Sequence, residues 1–233
     1  MADTANRRPI RQREAAWARS AAAWLAREHA SPDLISAASA AAATLAGGLL
    51  LVAGGTPTIW LRAPLFLAAA GFIQLRLVCN LLDGMVAVEH GRGSSAGPIW
   101  NELPDRYADV VVLVCAGYAA RLDGLLFTAA VGWVCAVLAL TTAYIRELGR
   151  GLGFAADFSG PFAKQQRMAA ITVACGISAV EPLWGWRGQA LMLTLAVVAA
   201  GTAFTAARRT RTLARRLAAR ANEKPQAPQG ESP

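Results

Sequence analysis

Six long apolar stretches restrict what this chain can fold into. Each is close to the roughly 20 residues that an α-helix needs to cross a lipid bilayer. With 55% of the 233 residues hydrophobic, these blocks are too long for a soluble core. No β pattern accompanies them, so the sequence predicts an all-α integral membrane protein with six transmembrane helices. The third and fifth stretches match the pattern of a transmembrane helix least well. The six lie near residues 34–54, 63–82, 106–122, 125–145, 168–185 and 188–207.

The segments outside these stretches differ in character. The chain is expected to divide into a disordered basic start, an interfacial helix, the six-helix domain and a basic tail that is disordered at its end. These parts cover residues 1–12, 13–30, 31–207 and 208–233. The first apolar run begins too late for an ordinary signal peptide, so no cleaved leader is expected.

Residues 13–30 predict an amphipathic helix that lies on the membrane surface. Trp17, Ala21, Trp24 and Leu25 recur at helical spacing, with charged residues elsewhere on the helix. Tryptophan combined with arginine suits the boundary between headgroups and hydrocarbon. A simple helical extension packed on the protein is the alternative interpretation.

Basic residues are concentrated on one side of the predicted topology. With six spans, both termini lie on the same side, and the excess of lysine and arginine makes that side cytoplasmic. The pattern is typical of a multi-pass protein of a bacterial inner membrane. The basic residues of this side include Arg7, Arg8, Arg11, Arg13, Arg19, Arg27, Arg146, Arg150, Lys164, Arg167, Arg208, Arg209, Arg211, Arg215, Arg216, Arg220 and Lys224.

The net charge of +8 does not indicate nucleic-acid binding. The charges flank membrane spans, where they attract anionic lipid headgroups. No nucleic-acid motif accompanies them. Membrane lipids, and not nucleic acid, are therefore the expected partners of this basic surface.

A cluster of acids lies between two apolar stretches. Five of the fifteen acidic residues fall within residues 80–109, namely Asp83, Glu89, Glu102, Asp105 and Asp109. A charge near the bilayer centre costs roughly 2.5–3.5 kcal/mol, so such acids indicate function by default. They must lie near the interface, be protonated or share a cation, and their spacing favours the cation. Charge asymmetry places the cluster at the cytoplasmic face.

The first helix that carries residues of this cluster presents a face suited to a large polar ligand. Asn80, Asp83, Gly84 and Ala87 are spaced i, i+3, i+4 and i+7, which is one side of a helix. Gly84 and Ala87 leave room for a bulky diphosphate to approach the backbone. We therefore expect oxygen ligands and open space on the same face.

The next helix supplies the facing oxygens. Asn101, Asp105 and Asp109 recur every four residues, and Glu102 lies on the stripe of Asp105 and Asp109. Asp83 and Asp105 at 4 Å would repel by about 4 kcal/mol at an effective dielectric near 20. A divalent cation removes that repulsion, and Mg²⁺ prefers such carboxylates together with substrate phosphates. The sequence thus predicts a magnesium site.

The spacing of these residues resembles the signature of the CDP-alcohol phosphotransferase family, D-x2-D-G-x2-A-R-x8-G-x3-D-x3-D. Every spacing matches, and five of the eight residue types match. Asparagine at the first and third aspartates and valine at the arginine indicate a divergent branch. The chain's residues at the signature positions are Asn80, Asp83, Gly84, Ala87, Val88, Gly97, Asn101 and Asp105.

Other segments extend the resemblance over roughly residues 15–207. The opening Ser31-Pro32-Asp33-Leu34-Ile35-Ser36 looks like the family's start. Tyr144-Ile145-Arg146 and Gly160-x3-Lys164-x2-Arg167 are similar to its middle. Members are usually homodimers, so a homodimer is implied here by analogy.

The resemblance implies a role for each matching residue. Asn80, Asp83 and Asn101 would hold Mg²⁺ or Mn²⁺ on the diphosphate of a CDP-linked donor, and Asp105 would be the general base. Glu102 and Asp109 lie where they would compensate for the charge that asparagine lacks. The small residues Gly84, Ala87 and Gly97 would lie against the donor.

The cytoplasmic loop between the fourth and fifth spans contains candidate phosphate ligands. Arg146, Lys164 and Arg167 would bind the phosphate of an acceptor such as glycerol 3-phosphate. Ordinary positive-inside bias is the alternative explanation. Arg76, one turn before Asn80, either snorkels or pairs with an acid, and the sequence does not decide between these.

The leading functional hypothesis is a phosphatidyltransferase that uses CDP-diacylglycerol and a small alcohol and releases CMP. A degenerate, non-catalytic protein that binds CDP-lipid or metal is the second hypothesis, since Asn80, Val88 and Asn101 depart from the signature. An ion transporter is the third, based on the buried acids alone; it does not explain the motif spacing.

Overall fold

The structure of the protein, a computed structural model, describes residues 15–89, 91, 95–120 and 125–223. All its regular elements within these ranges are helices. The predicted disorder of residues 1–12 and of the end of the tail lies outside the described residues. The helices are α1 Ala16–Arg27, α2 Pro32–Gly55, α3 Ile59–Glu89, α4 Gly97–Ala120, α5 Leu125–Gly151, α6 Lys164–Val180 and α7 Gln189–Glu223, with a short 3₁₀ helix Glu181–Trp184 before α7.

Local sequence explains how α2 begins. The Ser31 side chain accepts a hydrogen bond of 3.2 Å from the Leu34 backbone N–H, and Pro32 occupies the first turn of the helix. The first backbone N–H groups of a helix have no partner inside it. Serine accepts a hydrogen bond from one of them, and proline has no N–H group, so both residues are common where a helix begins. The predicted break between the surface helix and the first span is therefore present.

Helices occupy all six predicted spans, but they are not alike. Among the described residues, α2, α3, α5 and α7 are long and apolar enough to cross a membrane. The other two, α4 and α6, contain charged residues, and α6 has only 17 residues. Asp109 of α4 and Arg167 of α6 are buried inside the bundle and not directed to lipid. The six-span topology therefore stays a prediction for these two helices.

The six long helices form a closed ring in the order α2, α4, α5, α7, α6, α3, and α1 packs on α3. Helix α3 has 31 residues, so it is about 46 Å long, whereas the hydrocarbon layer is about 30 Å thick. The helix is therefore longer than the layer is thick, and Asn80 begins its last ten residues. We call the end of the bundle that contains Asn80 the inner end.

A helix, α1, occupies the segment predicted to lie on the membrane surface, and its buried face is narrow. Ala18 and Ala22 pack against Leu82 and Met85 of α3 and their neighbours. Trp17 and Trp24 are half exposed, so their rings are directed away from the protein. This arrangement suits a helix that rests on the bundle and offers tryptophan to the interface, and its position in the membrane remains a prediction.

A buried ion pair holds the opposite end of the bundle together. Arg62 of α3 donates to Glu181 Oε1 over 2.6 Å and also to the Ser178 and Ala53 carbonyls. Glu181 in turn accepts hydrogen bonds from the Gly188 and Ala190 backbone N–H groups. All of these groups have partners, as a buried ion pair requires.

Small residues allow α4 and α5 to approach closely near the end of the bundle opposite the inner end. A Cβ atom on Gly117 would lie 2.8 Å from both the Gly132 Cα and the Thr128 carbonyl oxygen. Such close backbone contact is a common way for membrane helices to associate, because van der Waals packing replaces the hydrophobic effect there.

Gly117→Ala should therefore destabilise the protein by about 1–3 kcal/mol, since the extra methyl group meets backbone that cannot rotate away. Gly71→Ala is the matched control, because Gly71 lies exposed in α3 with nothing near its Cβ position. Thermal unfolding of the detergent-purified variants measures the difference. A Gly117→Ala variant as stable as Gly71→Ala would contradict close packing at this crossing.

Candidate active site

The end of α3 and the start of α4 bring two signature residues into direct contact. The Asn80 amide nitrogen donates to Asp105 Oδ1. The Asn80 Oδ1 atom accepts a hydrogen bond of 2.5 Å from Ser39 Oγ on α2. The helical spacing therefore predicted correctly that these faces of α3 and α4 meet. The amide fixes Asp105 without adding a second negative charge.

Asp83 is buried beside this pair. Its Oδ2 atom accepts a hydrogen bond of 2.6 Å from Ser36 Oγ, while its Oδ1 atom has no hydrogen-bond partner. Only 4% of Asp83 is exposed, and its carboxylate is near enough to Asp105 to be repelled by it. A buried carboxylate with a free oxygen is costly, so this position favours a cation.

Asp109 lies one turn further along α4, and its partners are arginines. Oδ1 accepts 2.6 Å from Arg76 Nη2, and Oδ2 accepts 2.7 Å from Arg167 Nη2. The carboxylate is 1% exposed. The predicted role of Asp109 as an additional metal ligand does not fit this arrangement, because both of its oxygens accept hydrogen bonds from guanidinium groups. The same contact decides between the two interpretations of Arg76, which pairs with an acid.

The predicted phosphate ligands surround the same inner end. Lys164 donates to Asp105 Oδ2. Arg146 donates to Glu102 Oε2 over 2.5 Å and lies 5.4 Å from the ring centre of Phe158. Glu102, also expected near the metal, is thus an ion-pair partner of Arg146. Cations from α5 and α6 therefore lie within a few ångströms of the acids of α4.

The remaining predicted residues border this cluster. Gly84 and Ala87 are half buried on α3, and Gly97 is the first residue of α4. A Cβ on Gly84 would meet nothing within 4 Å, so space exists on that face, as expected. Asn101 lies exposed, one turn before Asp105.

The loop between α5 and α6 is anchored so that Lys164 begins its helix at the site. Arg209 of α7 donates to the Ser159 and Thr142 carbonyls over 2.9 and 3.0 Å. Burial acts to raise the pKa of Asp157, but hydrogen bonds from Ser159 and the charge of Arg209 outweigh it and hold that pKa below its usual value. The loop thus carries a stable negative charge beside Arg209.

One carboxylate oxygen of the site, Asp83 Oδ1, has no hydrogen-bond partner and is open to a hard cation. Among the residues that the structure describes, no three acidic, histidine or cysteine side chains converge as metal ligands. The nearby oxygens belong to the Asp83 and Asp105 carboxylates and the Asn80 amide. Mg²⁺ usually takes one or two carboxylates and completes its shell with phosphate and water. The donor set therefore suits a metal that arrives with a phosphate ligand.

Sequence reasoning missed several residues that hold the site. Ser39 and Arg106 were not singled out, although Ser39 binds Asn80 and Arg106 lies 3.7 Å from Asp105. A signal was present, because Ser36 and Ser39 are one turn apart on the otherwise apolar start of α2 and so share a face. Serine pairs of this kind commonly mark polar contacts between membrane helices.

Solved structures share the fold of this chain. The structure of phosphatidylinositol phosphate synthase (PgsA1) from Mycobacterium tuberculosis with CDP-DAG bound matches with a TM-score of 0.69, covering 85% of this chain and 94% of that one at 19% identity. The same synthase in complex with manganese and citrate matches at 0.68, over 84% and 88% of the chains at 20% identity.

A curated relative gives the closer sequence match. Inner membrane protein YnbA of Escherichia coli (strain K12) is 30% identical over 167 residues, which cover 69% of this chain and 74% of that protein. The chain belongs to the CDP-alcohol phosphotransferase family. No family model matches the chain. Asn80 and Asp105, the first and last residues of the segment whose spacing resembles the signature, lie in contact.

We predict that replacing each of the two buried aspartates by asparagine has opposite effects on the stability of the protein. Asp83→Asn should stabilise the protein by about 1 kcal/mol, because it removes a buried charge whose Oδ1 lacks a partner. Asp109→Asn should destabilise it by about 3–5 kcal/mol, because it leaves Arg76 and Arg167 without their counter-charge. Thermal unfolding in detergent without divalent cations measures both.

Manganese binding in the presence of CDP-diacylglycerol, followed by the electron paramagnetic resonance of Mn²⁺, adds a second measurement. The Asp83→Asn variant should lose Mn²⁺ binding while it gains stability. Lower stability together with unchanged Mn²⁺ binding would show that Asp83 is a structural residue and not a ligand.

Proposed function

We propose that this protein transfers a phosphatidyl group from CDP-diacylglycerol to the hydroxyl of a small polar alcohol and releases CMP, a step of phospholipid synthesis. The observation that carries this proposal is the contact of Asn80 with Asp105, beside buried Asp83, at the family's signature spacing. Glycerol 3-phosphate is the first acceptor to test, because basic residues surround the site.

The metal would be Mg²⁺ or Mn²⁺, held by Asp83, Asp105 and Asn80, with Asn101 close by. Bound there, it would neutralise the diphosphate and make CMP a better leaving group. Three carboxylates (Asp83, Asp105 and Asp109) already lie among four cations, Arg76, Arg106, Lys164 and Arg167. One divalent ion that binds with the two negative charges of the donor's diphosphate adds no net charge to this cluster, whereas a second ion would, so we propose one metal.

Asp105 is the proposed general base. The acceptor oxygen forms a bond to the phosphatidyl phosphorus, the bond from that phosphorus to the CMP oxygen breaks, and the hydroxyl proton passes to the Asp105 carboxylate. Asn80 holds one oxygen of this carboxylate and Lys164 lies on the other. The carboxylate is thereby fixed at the meeting point of α3, α4 and α6.

We propose that Lys164, Arg146 and Arg167 contribute unequally to binding the acceptor phosphate. Lys164 remains partly exposed beside Asp105 and can reach a phosphate directly. Arg146 is shared with Glu102 and Glu147. Arg167 is buried against Asp109. We therefore assign the direct contact to Lys164 and the supporting charge to the two arginines.

The proposed setting is the cytoplasmic membrane of a bacterium, with both termini and the active site on the cytoplasmic side. The relative's name is that of an inner membrane protein, and four helices have the length and composition to cross a bilayer. Donor acyl chains would reach the site from within the bilayer. A homodimer is proposed by analogy with the family.

Asp105→Ala should lower the rate of CMP release by about 10²–10⁴-fold, because it removes the proton acceptor. The assay combines purified protein, CDP-diacylglycerol, Mg²⁺ and a panel of alcohols, with lipid products identified by mass spectrometry. Glu28→Gln, which changes an exposed carboxylate at the end of α1, is the control and should keep full activity. Undiminished CMP release from Asp105→Ala would refute the assignment of the base.

The same assay separates the enzyme from a non-catalytic CDP-lipid-binding protein. One observation favours that alternative: both oxygens of Asp105 already have partners, Asn80 and Lys164. Tight binding of CDP-diacylglycerol with no CMP released for any alcohol would support it. Turnover by the wild-type protein would exclude it.

Lys164→Met should raise KM for a phosphorylated acceptor by about tenfold or more, since a charge-assisted hydrogen bond contributes about 1.5–3 kcal/mol. KM for CDP-diacylglycerol should change little. The matched control is Arg150→Met, because Arg150 lies exposed in the same basic region and pairs only with Glu147 among the ion pairs shown. Equal effects of Lys164→Met on both substrates would contradict the acceptor contact.

A further inference from the structure

The polar residues of α3, α4 and α6 form two layers across the inner end. The site layer consists of Asn80, Asp105 and Lys164. The support layer consists of Arg76, Asp109 and Arg167. Each helix contributes one residue to each layer, four residues apart on α3 and α4 and three apart on α6, which is one helical turn. The support layer therefore lies directly beneath the site layer, deeper in the bundle.

Asp109 joins the support layer into one unit. Its two oxygens accept hydrogen bonds from Arg76 and Arg167 at 2.6 and 2.7 Å. All three residues are at most 1% exposed. Arg167 also donates to the Phe162 carbonyl over 3.0 Å, which ties the start of α6 to the loop before it. Removing this one carboxylate would break one contact of α4 with α3 and one with α6 at the same time.

Arg76 connects the support layer to the proposed base. The same Nη2 atom that binds Asp109 donates to the Asp105 backbone carbonyl over 3.2 Å and lies 3.7 Å from the Asp105 carboxylate. The position of Asp105 is thus determined from below by Arg76 and from the side by Asn80. Arg76 in turn is held by Asp109.

The opposite end of the bundle shows what a purely structural ion pair looks like here. Arg62 uses three nitrogens and Glu181 uses both oxygens, so one cation meets one anion. The support layer instead sets two cations against one anion, and it leaves Arg76 Nε, Arg76 Nη1 and Arg167 Nε without hydrogen-bond partners. Buried, incompletely paired guanidinium groups are costly unless they serve the site above them.

We propose that Asp109 is a positioning residue of the phosphatidyl transfer: it holds Arg76 beneath Asp105 and Arg167 beneath Lys164, and so sets the geometry of the proton-accepting carboxylate against the acceptor. This role rests on the proposed function. It acts through Arg76 and Arg167, and Asp109 itself touches neither substrate. A displacement of Asp105 by a fraction of an ångström is enough to lower the rate, because proton transfer requires close alignment.

The test compares Asp109→Asn with Glu181→Gln. Each substitution removes the charge of a fully buried carboxylate whose two oxygens both accept hydrogen bonds. Rates of CMP release are measured on folded, full-length protein as functions of CDP-diacylglycerol and of acceptor concentration. Asp109→Asn should lower kcat by about 10²-fold, with little change in KM for CDP-diacylglycerol. Glu181→Gln should unfold at a lower temperature than wild type and keep the wild-type kcat and KM values.

A wild-type kcat for folded Asp109→Asn would overturn the positioning role while leaving the proposed function intact. Equal losses of kcat in Asp109→Asn and Glu181→Gln would also overturn it, because the effect would then be one of general stability. An absence of CMP release from the wild-type protein with every alcohol would overturn the proposed function, and the positioning role with it.

If Asp109→Asn does not fold, a second pair of variants tests the positioning role of Asp109. Arg76→Lys keeps the positive charge next to Asp109 but shortens the reach to the Asp105 carbonyl, and Arg62→Lys is its counterpart at the opposite end. A lower kcat for Arg76→Lys alone supports the proposal. Unchanged kcat in both variants overturns it.

Discussion

Charge neutralisation between apolar helices is the constraint on which the rest of the structure depends. Asp83, Asp105 and Asp109 lie where water is scarce, and each must be offset by a cation or a hydrogen bond. Arg76, Lys164 and Arg167 supply three positive charges, from α3 and α6. This requirement brings α3, α4 and α6 together at the inner end, and it explains why α4 and α6 tolerate charged residues that would be costly next to lipid.

The asparagine at position 80 fits this constraint. An aspartate there would face Asp105 as a second negative charge in contact with it, whereas the Asn80 amide donates a hydrogen bond to it. With asparagine at this position, the cations around the site are not outnumbered by carboxylates before any metal binds. Such a site should favour a metal that enters together with an anionic diphosphate over a metal that binds alone. The departure from the family signature thus changes how the site is charged without removing its oxygens.

Much of the fold follows from the sequence, because apolar length and helix breakers are local properties. The break at Ser31-Pro32 and the helices in all six predicted spans are present. The facing of Asn80 and Asp105 was predictable as well, since helical spacing fixes which residues share a face. The six-span count was not settled, because α4 and α6 owe their burial to contacts with other helices.

The environment of Asp109 shows where sequence reasoning ends. Its spacing from Asp105 correctly places it on the same stripe of α4, and that stripe was interpreted as a set of metal ligands. Spacing along one helix does not reveal what packs against it, and here α3 and α6 present Arg76 and Arg167. For the same reason, the sequence alone does not show whether Arg76 pairs with an acid. Only the packing of three helices distinguishes an ion pair from a metal ligand.

Anomalous diffraction from crystals grown with Mn²⁺ and CDP-diacylglycerol would locate the metal directly. We expect one manganese peak within coordination distance of both Asp83 and Asp105, in contact with the donor's diphosphate, and no peak next to Asp109. A manganese ion bound by Asp109, or a diphosphate bound elsewhere with no metal between Asp83 and Asp105, would contradict a metal site formed by these two aspartates.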